Sequence, residues 1–110
     1  MNHIQKLFIS SEICSSFRNT LKELTLFQNT EFIVAADWVG RNLTDRQQID
    51  YIQTLKPNLL ITTNKKLTVN LPNLKYIVFE TKNDKLDSIF LTNLFHIKAF
   101  LKSPLTFLNI

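Results

Sequence analysis

The chain reads as a single α/β domain built on a mainly parallel four-stranded sheet flanked by helices. Three observations predict this class. Four short apolar runs, Leu7-Phe8-Ile9, Phe32-Ile33-Val34-Ala35, Leu59-Leu60-Ile61 and Tyr76-Ile77-Val78-Phe79, lack polar alternation, and continuous runs of this kind belong to strands buried on both faces. Amphipathic helical stripes separate the first run from the second and the second from the third, and another follows the fourth. The overall order is β-α-β-α-β-β-α, and its opening strand, helix, strand, helix, strand is the signature of right-handed crossovers in a parallel sheet.

The first strand is expected near residues 5–10 and a helix near 15–28, where Phe17, Leu21, Leu24 and Phe27 repeat at helical spacing. A second strand falls near 31–36. Thr44-Asp45-Arg46-Gln47 then has the form of a capping box, in which the threonine accepts from a first-turn amide and the glutamine reaches back. It opens a helix near 45–56 whose stripe is Ile49, Ile52 and Leu55. Pro57 closes that helix, because proline lacks an N–H and pushes the preceding residue out of the helical region. The third strand falls near 58–63 and the fourth near 75–80. Between them, residues 64–74 carry no helical stripe and include Pro72, which predicts a loop or one short helical turn. A last helix near 85–102 carries Leu86, Ile89, Phe90, Leu94, Ile97, Phe100 and Leu101, widened by Leu91 and Phe95, and Pro104 precedes a short apolar tail at 105–110.

At 110 residues there is room for one domain, taken as 1–110, and the 45% hydrophobic content with nine phenylalanines excludes disorder. A single cysteine, Cys14, excludes an internal disulfide framework and cysteine-rich zinc sites. No apolar run approaches the roughly 18 residues of a membrane span. A cytoplasmic protein without a leader or a membrane partner is expected. The net charge of +4 is concentrated in residues 51–110, which carry eight lysines against three acids. That asymmetry favours an anionic partner such as nucleic acid or an acidic protein. The lysines are scattered and no arginine accompanies them, so a solvated basic surface is the plainer reading.

Gly40 is the sole glycine, which excludes phosphate-cradling glycine loops. His3 and His96 read as ordinary structural or surface histidines. Cys14, just before a helix N-terminus, is either a thiol activated by the helix dipole or a small residue packed at a corner. In a parallel sheet the C-terminal strand ends share one edge. That edge would gather Ser10, Ser11, Glu12, Asp37, Asn64 and Lys65, with Asp45 near it. Acids converging there suit either helix capping or a magnesium-dependent nuclease, since the hard cation takes oxygen ligands.

The order of Lys6-Leu7-Phe8-Ile9-Ser10-Ser11-Glu12-Ile13, Asp37-Trp38-Val39-Gly40, Thr44-Asp45-Arg46-Gln47-Gln48-Ile49 and Leu60-Ile61-Thr62-Thr63-Asn64-Lys65-Lys66-Leu67 resembles short stand-alone PIN-like domains, which are related to VapC-type ribonuclease toxins. The resemblance spans about residues 5–80. It implies a metal-binding aspartate at the end of the first strand, where this chain has Ser10. It also implies a threonine, any, aspartate, lysine, aspartate pattern after the third strand, which here reads Thr62-Thr63-Asn64-Lys65-Lys66. Asp45 keeps the acidic position that opens the second helix.

By this comparison Ser10, Asn64, Lys65 and Lys66 form a degenerate pocket with no metal. The expected function is binding of protein or nucleic acid in a system of toxin–antitoxin type. The alternative is a weak magnesium-dependent ribonuclease using Glu12, Asp37 and Asp45, and the second alternative is a small α/β adaptor unrelated to PIN domains. The apolar excess of the last third predicts a homodimer or a tight protein partner, with Phe90, Leu91, Leu94, Phe95, Phe107 and Leu108 at the interface.

Overall fold

A computed structural model describes residues 4–37 and 43–110. Among these, strands β1 (Lys6–Ile9), β2 (Glu31–Val34), β3 (Leu59–Thr62), β4 (Lys75–Val78) and β5 (Phe107–Asn109) form one sheet. Its spatial order is β2-β1-β3-β4-β5, with every neighbouring pair parallel. The helices are α1 (Ser15–Glu23), α2 (Asp45–Leu55), α3 (Leu86–Thr92) and α4 (Leu94–Lys102). The α/β class is therefore as the apolar runs predict, with one strand more.

The central strands are apolar without alternation because both faces of the sheet are covered. Leu7 and Ile9 of β1 point into a core shared with Phe17 and Leu21 of α1, Phe90 of α3 and Ile97 of α4. Phe8 points to the other side, where Ile52 of α2, Leu67 and Leu74 close a second core. Burial of this kind contributes roughly 1.5–3 kcal/mol for each large side chain.

Thr44 and Gln47 form the predicted capping box. Thr44 Oγ1 accepts from the Gln47 amide at 3.1 Å, and Gln47 Oε1 accepts from the Thr44 amide at 3.0 Å. Thr44→Ala is expected to lower stability by about 1 kcal/mol, read as a Tm lower by about 5 °C in a thermal melt. At the other end of α2, Lys56 leaves the helix in a left-handed conformation with φ 50°, immediately before Pro57. Residues 65–67 form the single short helical turn expected in the third connection.

Three expectations need correction. The helix foreseen over 15–28 ends at Glu23, and residues 25–27 form a separate 3-10 turn that still buries Phe27. The long helix over 85–102 is broken at Asn93, whose side chain donates to the Ile89 carbonyl at 2.8 Å and so competes with the helical ladder. The tail is not a loose end but strand β5, paired to β4. The additional strand also brings a crossover of different hand. The connections from β1 to β2, β2 to β3 and β3 to β4 are consistent with one another, because α1 packs on one face and α2 and the 65–67 turn on the other. The β4 to β5 connection advances in the same direction as β3 to β4, yet α3 and α4 lie on the α1 face, which reverses its hand. The rule of constant hand arises from a twisted strand feeding one helix, and here the crossover consists of two helices with a break.

Lys75 secures this last excursion. Its ammonium donates to the carbonyls of Phe100 (3.2 Å), Ser103 (2.7 Å) and Leu105 and lies 4.7 Å from the centre of the Phe100 ring. It thus supplies the donors that the end of α4 lacks, although burial pushes its pKa below the ordinary lysine value.

Candidate functional site at the carboxyl edge of the sheet

The chain leaves β1 toward β2 on one side, whereas β3, β4 and β5 follow on the other. The crevice beyond the carboxyl ends of β1 and β3 is therefore the topological switch point, where open α/β sheets place ligands. Ser10 continues β1, its amide donating to the Ile61 carbonyl at 3.2 Å, and Thr62 ends β3. Both are fully buried.

The loop after β1 folds Glu12 back over this crevice. Glu12 Oε2 faces the hydroxyls of Ser10, Thr62 (3.0 Å) and Thr63 (3.0 Å) and the Thr63 amide (2.9 Å). Ser10 and Thr62 also touch each other, Oγ to Oγ1, at 2.7 Å. Burial pushes the Glu12 carboxyl up. The Ser10 hydroxyl, the Thr63 amide, its own amide and the Thr63 hydroxyl outweigh this and hold it below the ordinary value.

A second carboxylate is tied into the same network. The Asn64 amide donates to Thr62 Oγ1 at 2.9 Å, and Asn64 Nδ2 donates to Asp45 Oδ1 at 2.8 Å. Ser10, Glu12, Asn64 and Asp45 thus occupy one connected cluster. Asp37 does not join it. It is 67% exposed and lies 3.7 Å from Arg18 of α1. Lys65 turns away to pair with Glu80 at 2.9 Å, whose carboxyl is held below its ordinary range by Asn109 and Lys65. Lys66 is exposed. Trp38, Val39 and Gly40, which belong to the resemblance, lie outside the described residues, as does His3.

Two supporting residues escaped the sequence reading. Gln48 is buried and pairs with Ser11 through both ends of its amide, accepting from the Ser11 amide at 2.9 Å and donating to Ser11 Oγ at 3.0 Å. Its signal was present: it stands four residues before Ile52, a polar group on the buried stripe of α2. Asn83, in the connection after β4, donates to the Glu12 carbonyl at 2.6 Å and accepts from the Cys14 amide at 3.2 Å. Nothing local in the sequence marks a contact across 71 positions. Cys14 itself stands at the start of α1 without capping it through its side chain, and its thiol faces the Asn83 carbonyl at 3.7 Å.

One oxygen of Glu12 and one of Asp45 are already engaged by protein donors. Magnesium needs several oxygen donors in near-octahedral array. Here Glu12 Oε2 is surrounded by protons, Asp45 is bonded to an amide, and Asp37 is drawn to a guanidinium. Among the described residues no three His, Cys, Asp or Glu side chains are grouped as ligands.

The residues expected at an interface divide into three sets. Phe90 is a correction: it is fully buried, with its ring 5.6 Å from Phe17 and 6.2 Å from Phe79, because it lies one turn after Leu86 on the face of α3 that packs into the core. Leu94 and Leu108 are half-buried against the same core. Leu91, Phe95 and Phe107 are exposed, Phe95 to 82%, together with Leu105. No helix among the described residues is long and apolar enough to cross a membrane. Compared with protein-family models, curated proteins and solved structures, the chain has no match in any of the three.

Proposed function

We propose that the chain is a PIN-like domain that acts by binding, with a protein as its first partner class and nucleic acid as its second, and that it does not hydrolyse RNA. The observation that carries this reading is the engagement of Glu12 Oε2 by the hydroxyls and amide of Ser10, Thr62 and Thr63. A carboxylate oxygen that faces four neutral donors is poorly disposed to share its lone pairs with a metal ion. The best-placed acid at the switch point therefore reads as a brace joining β1 to β3. Basic residues of the second half and the exposed apolar side chains of α4 and the tail supply binding surface instead.

The test is a calorimetric titration with Mg²⁺ and Mn²⁺ alongside an RNA cleavage assay. Weak metal binding and cleavage no faster than that of Asp45→Asn are expected. Robust cleavage abolished by Asp45→Asn or Glu12→Gln would establish the ribonuclease reading in its place.

A further inference from the structure

The backbone of β5 is half used. The Tyr76 amide donates to the Thr106 carbonyl at 2.8 Å, the Ile110 amide to the Val78 carbonyl at 2.9 Å, and the Glu80 amide to the Ile110 carbonyl at 2.9 Å. In a parallel ladder one strand bonds a given neighbour through alternate residues. Thr106, Leu108 and Ile110 therefore face β4, and the N–H and C=O groups of Phe107 and Asn109 face outward along the edge of the sheet. Such an edge is a template for another strand.

The surroundings of the edge carry both shape and charge. Beside it on the α4 face is a shallow depression of about 260 Å³ lined by His96, Ala99, Phe100, Ser103, Leu105 and Leu108. It shares Ala99 with a second depression of about 300 Å³ that Phe95, Lys98 and Lys102 complete. Neither α4 nor residues 103–110 contain an acid, whereas Lys98 and Lys102 are both exposed. A second copy of the chain would bring the same two lysines toward these two. An acidic segment would meet them with opposite charge, which steers encounter and selects the partner.

We infer that the β5 edge is a strand-addition site for an extended acidic segment of a protein partner. Its backbone pairs with Phe107 and Asn109, and the alternate side chains that point to the α4 face supply both an apolar group for the depression beside Ala99 and carboxylates for Lys98 and Lys102. Main-chain pairing supplies affinity in this mode of recognition, and the side-chain depressions supply selectivity. The inference rests on the binding function proposed above and names the partner's chemistry.

The test titrates the isotope-labelled full chain with a peptide whose every second residue is valine or glutamate in turn, the intervening ones being threonine, and with its valine–lysine counterpart, while amide resonances are followed. The acidic peptide is expected to move the Phe107 and Asn109 amides and to bind at least tenfold more tightly than the lysine peptide. Lys98→Glu with Lys102→Glu is expected to invert that preference. Phe107→Pro removes an outward N–H without touching the ladder to β4, whereas Phe107→Ala removes only the ring that lies 6.2 Å from Tyr76, so binding is lost in the first and kept in the second while their Tm values agree within about 3 °C. Equal binding of the two peptides, shifts confined to other residues, or no shift at millimolar peptide overturns the inference. So does concentration-dependent self-association in sedimentation that Phe107→Pro abolishes, because the occupant is then a second copy. Failure here with RNA cleavage still absent removes this edge and leaves the binding reading, whereas metal-dependent cleavage removes that reading whatever the peptides do.

Discussion

Phe90→Ala is expected to destabilise the protein by about 3–5 kcal/mol, the range for removing a fully buried phenylalanine ring. Phe90 sits where α1, α3 and β4's continuation meet, against Phe17, Phe27 and Phe79. Truncation leaves a cavity among rings that hold one another in edge-on and tilted arrangements, and these cannot all move to fill it. Since domains of this kind are stable by only about 5–15 kcal/mol, urea denaturation would show a large fall in the midpoint. The adjacent Leu91, exposed on the same helix, supplies the control: Leu91→Ala is expected within about 0.5 kcal/mol of the parent. A Phe90→Ala protein of parental stability would contradict the core position of this ring.

Glu12→Ala is expected to cost about 2–4 kcal/mol, because it strands the Thr63 amide and leaves the buried hydroxyls of Ser10 and Thr62 without their common acceptor. Glu12→Gln is expected to fall between parent and alanine variant, since its carbonyl oxygen can take the place of Oε2 but accepts more weakly than an ionised carboxylate. The pH dependence separates charge from shape. The folded pKa of Glu12 lies below its ordinary value near 4.5, so the unfolded chain binds the proton first as pH falls. The stabilisation is present in full above the unfolded pKa and is lost as pH drops through the folded one. Melts at pH 7 and pH 3 should therefore show the gap between parent and Glu12→Gln narrowing in acid. A gap of equal size at both pH values would mean that the ionised carboxylate is not what these donors hold.

Much of the frame was legible because local patterns carried it. The capping box announced the start of α2 to the residue, and Pro57 its end, since both depend on atoms within four positions of each other. Four strands were visible as uninterrupted apolar runs, for the same reason that Leu7, Phe8 and Ile9 are each fully buried: a strand covered on both faces has no polar side to display. The tail was harder. Leu105 to Ile110 has only six residues, two of them polar, and its strand state depends on hydrogen bonds to β4 and on the Lys75 ammonium gathering the carbonyls at the end of α4. Neither is encoded within the segment. The break at Asn93 lay in plain view as a polar residue on an apolar stripe, but only the turn of α3 onto the Phe17 side decided that Phe90 is core and not surface.

The candidate site divides in the same way. The sequence by itself determined that Ser10, Glu12, Asn64 and Asp45 would lie near the carboxyl edge, because every strand of a parallel sheet delivers its following loop to that edge. The tertiary structure alone decided which of these groups touch. It turned Glu12 inward onto Thr62 and Thr63, gave Asp45 to Asn64, sent Lys65 away to Glu80 and left Asp37 beside Arg18. Side-chain partners depend on distances of a few tenths of an ångström between loops that are tens of residues apart in the chain. Periodicity places a residue on an edge or a face, whereas contact is set only when the strand order, the reversed last crossover and the closure of the two cores have fixed how those loops meet.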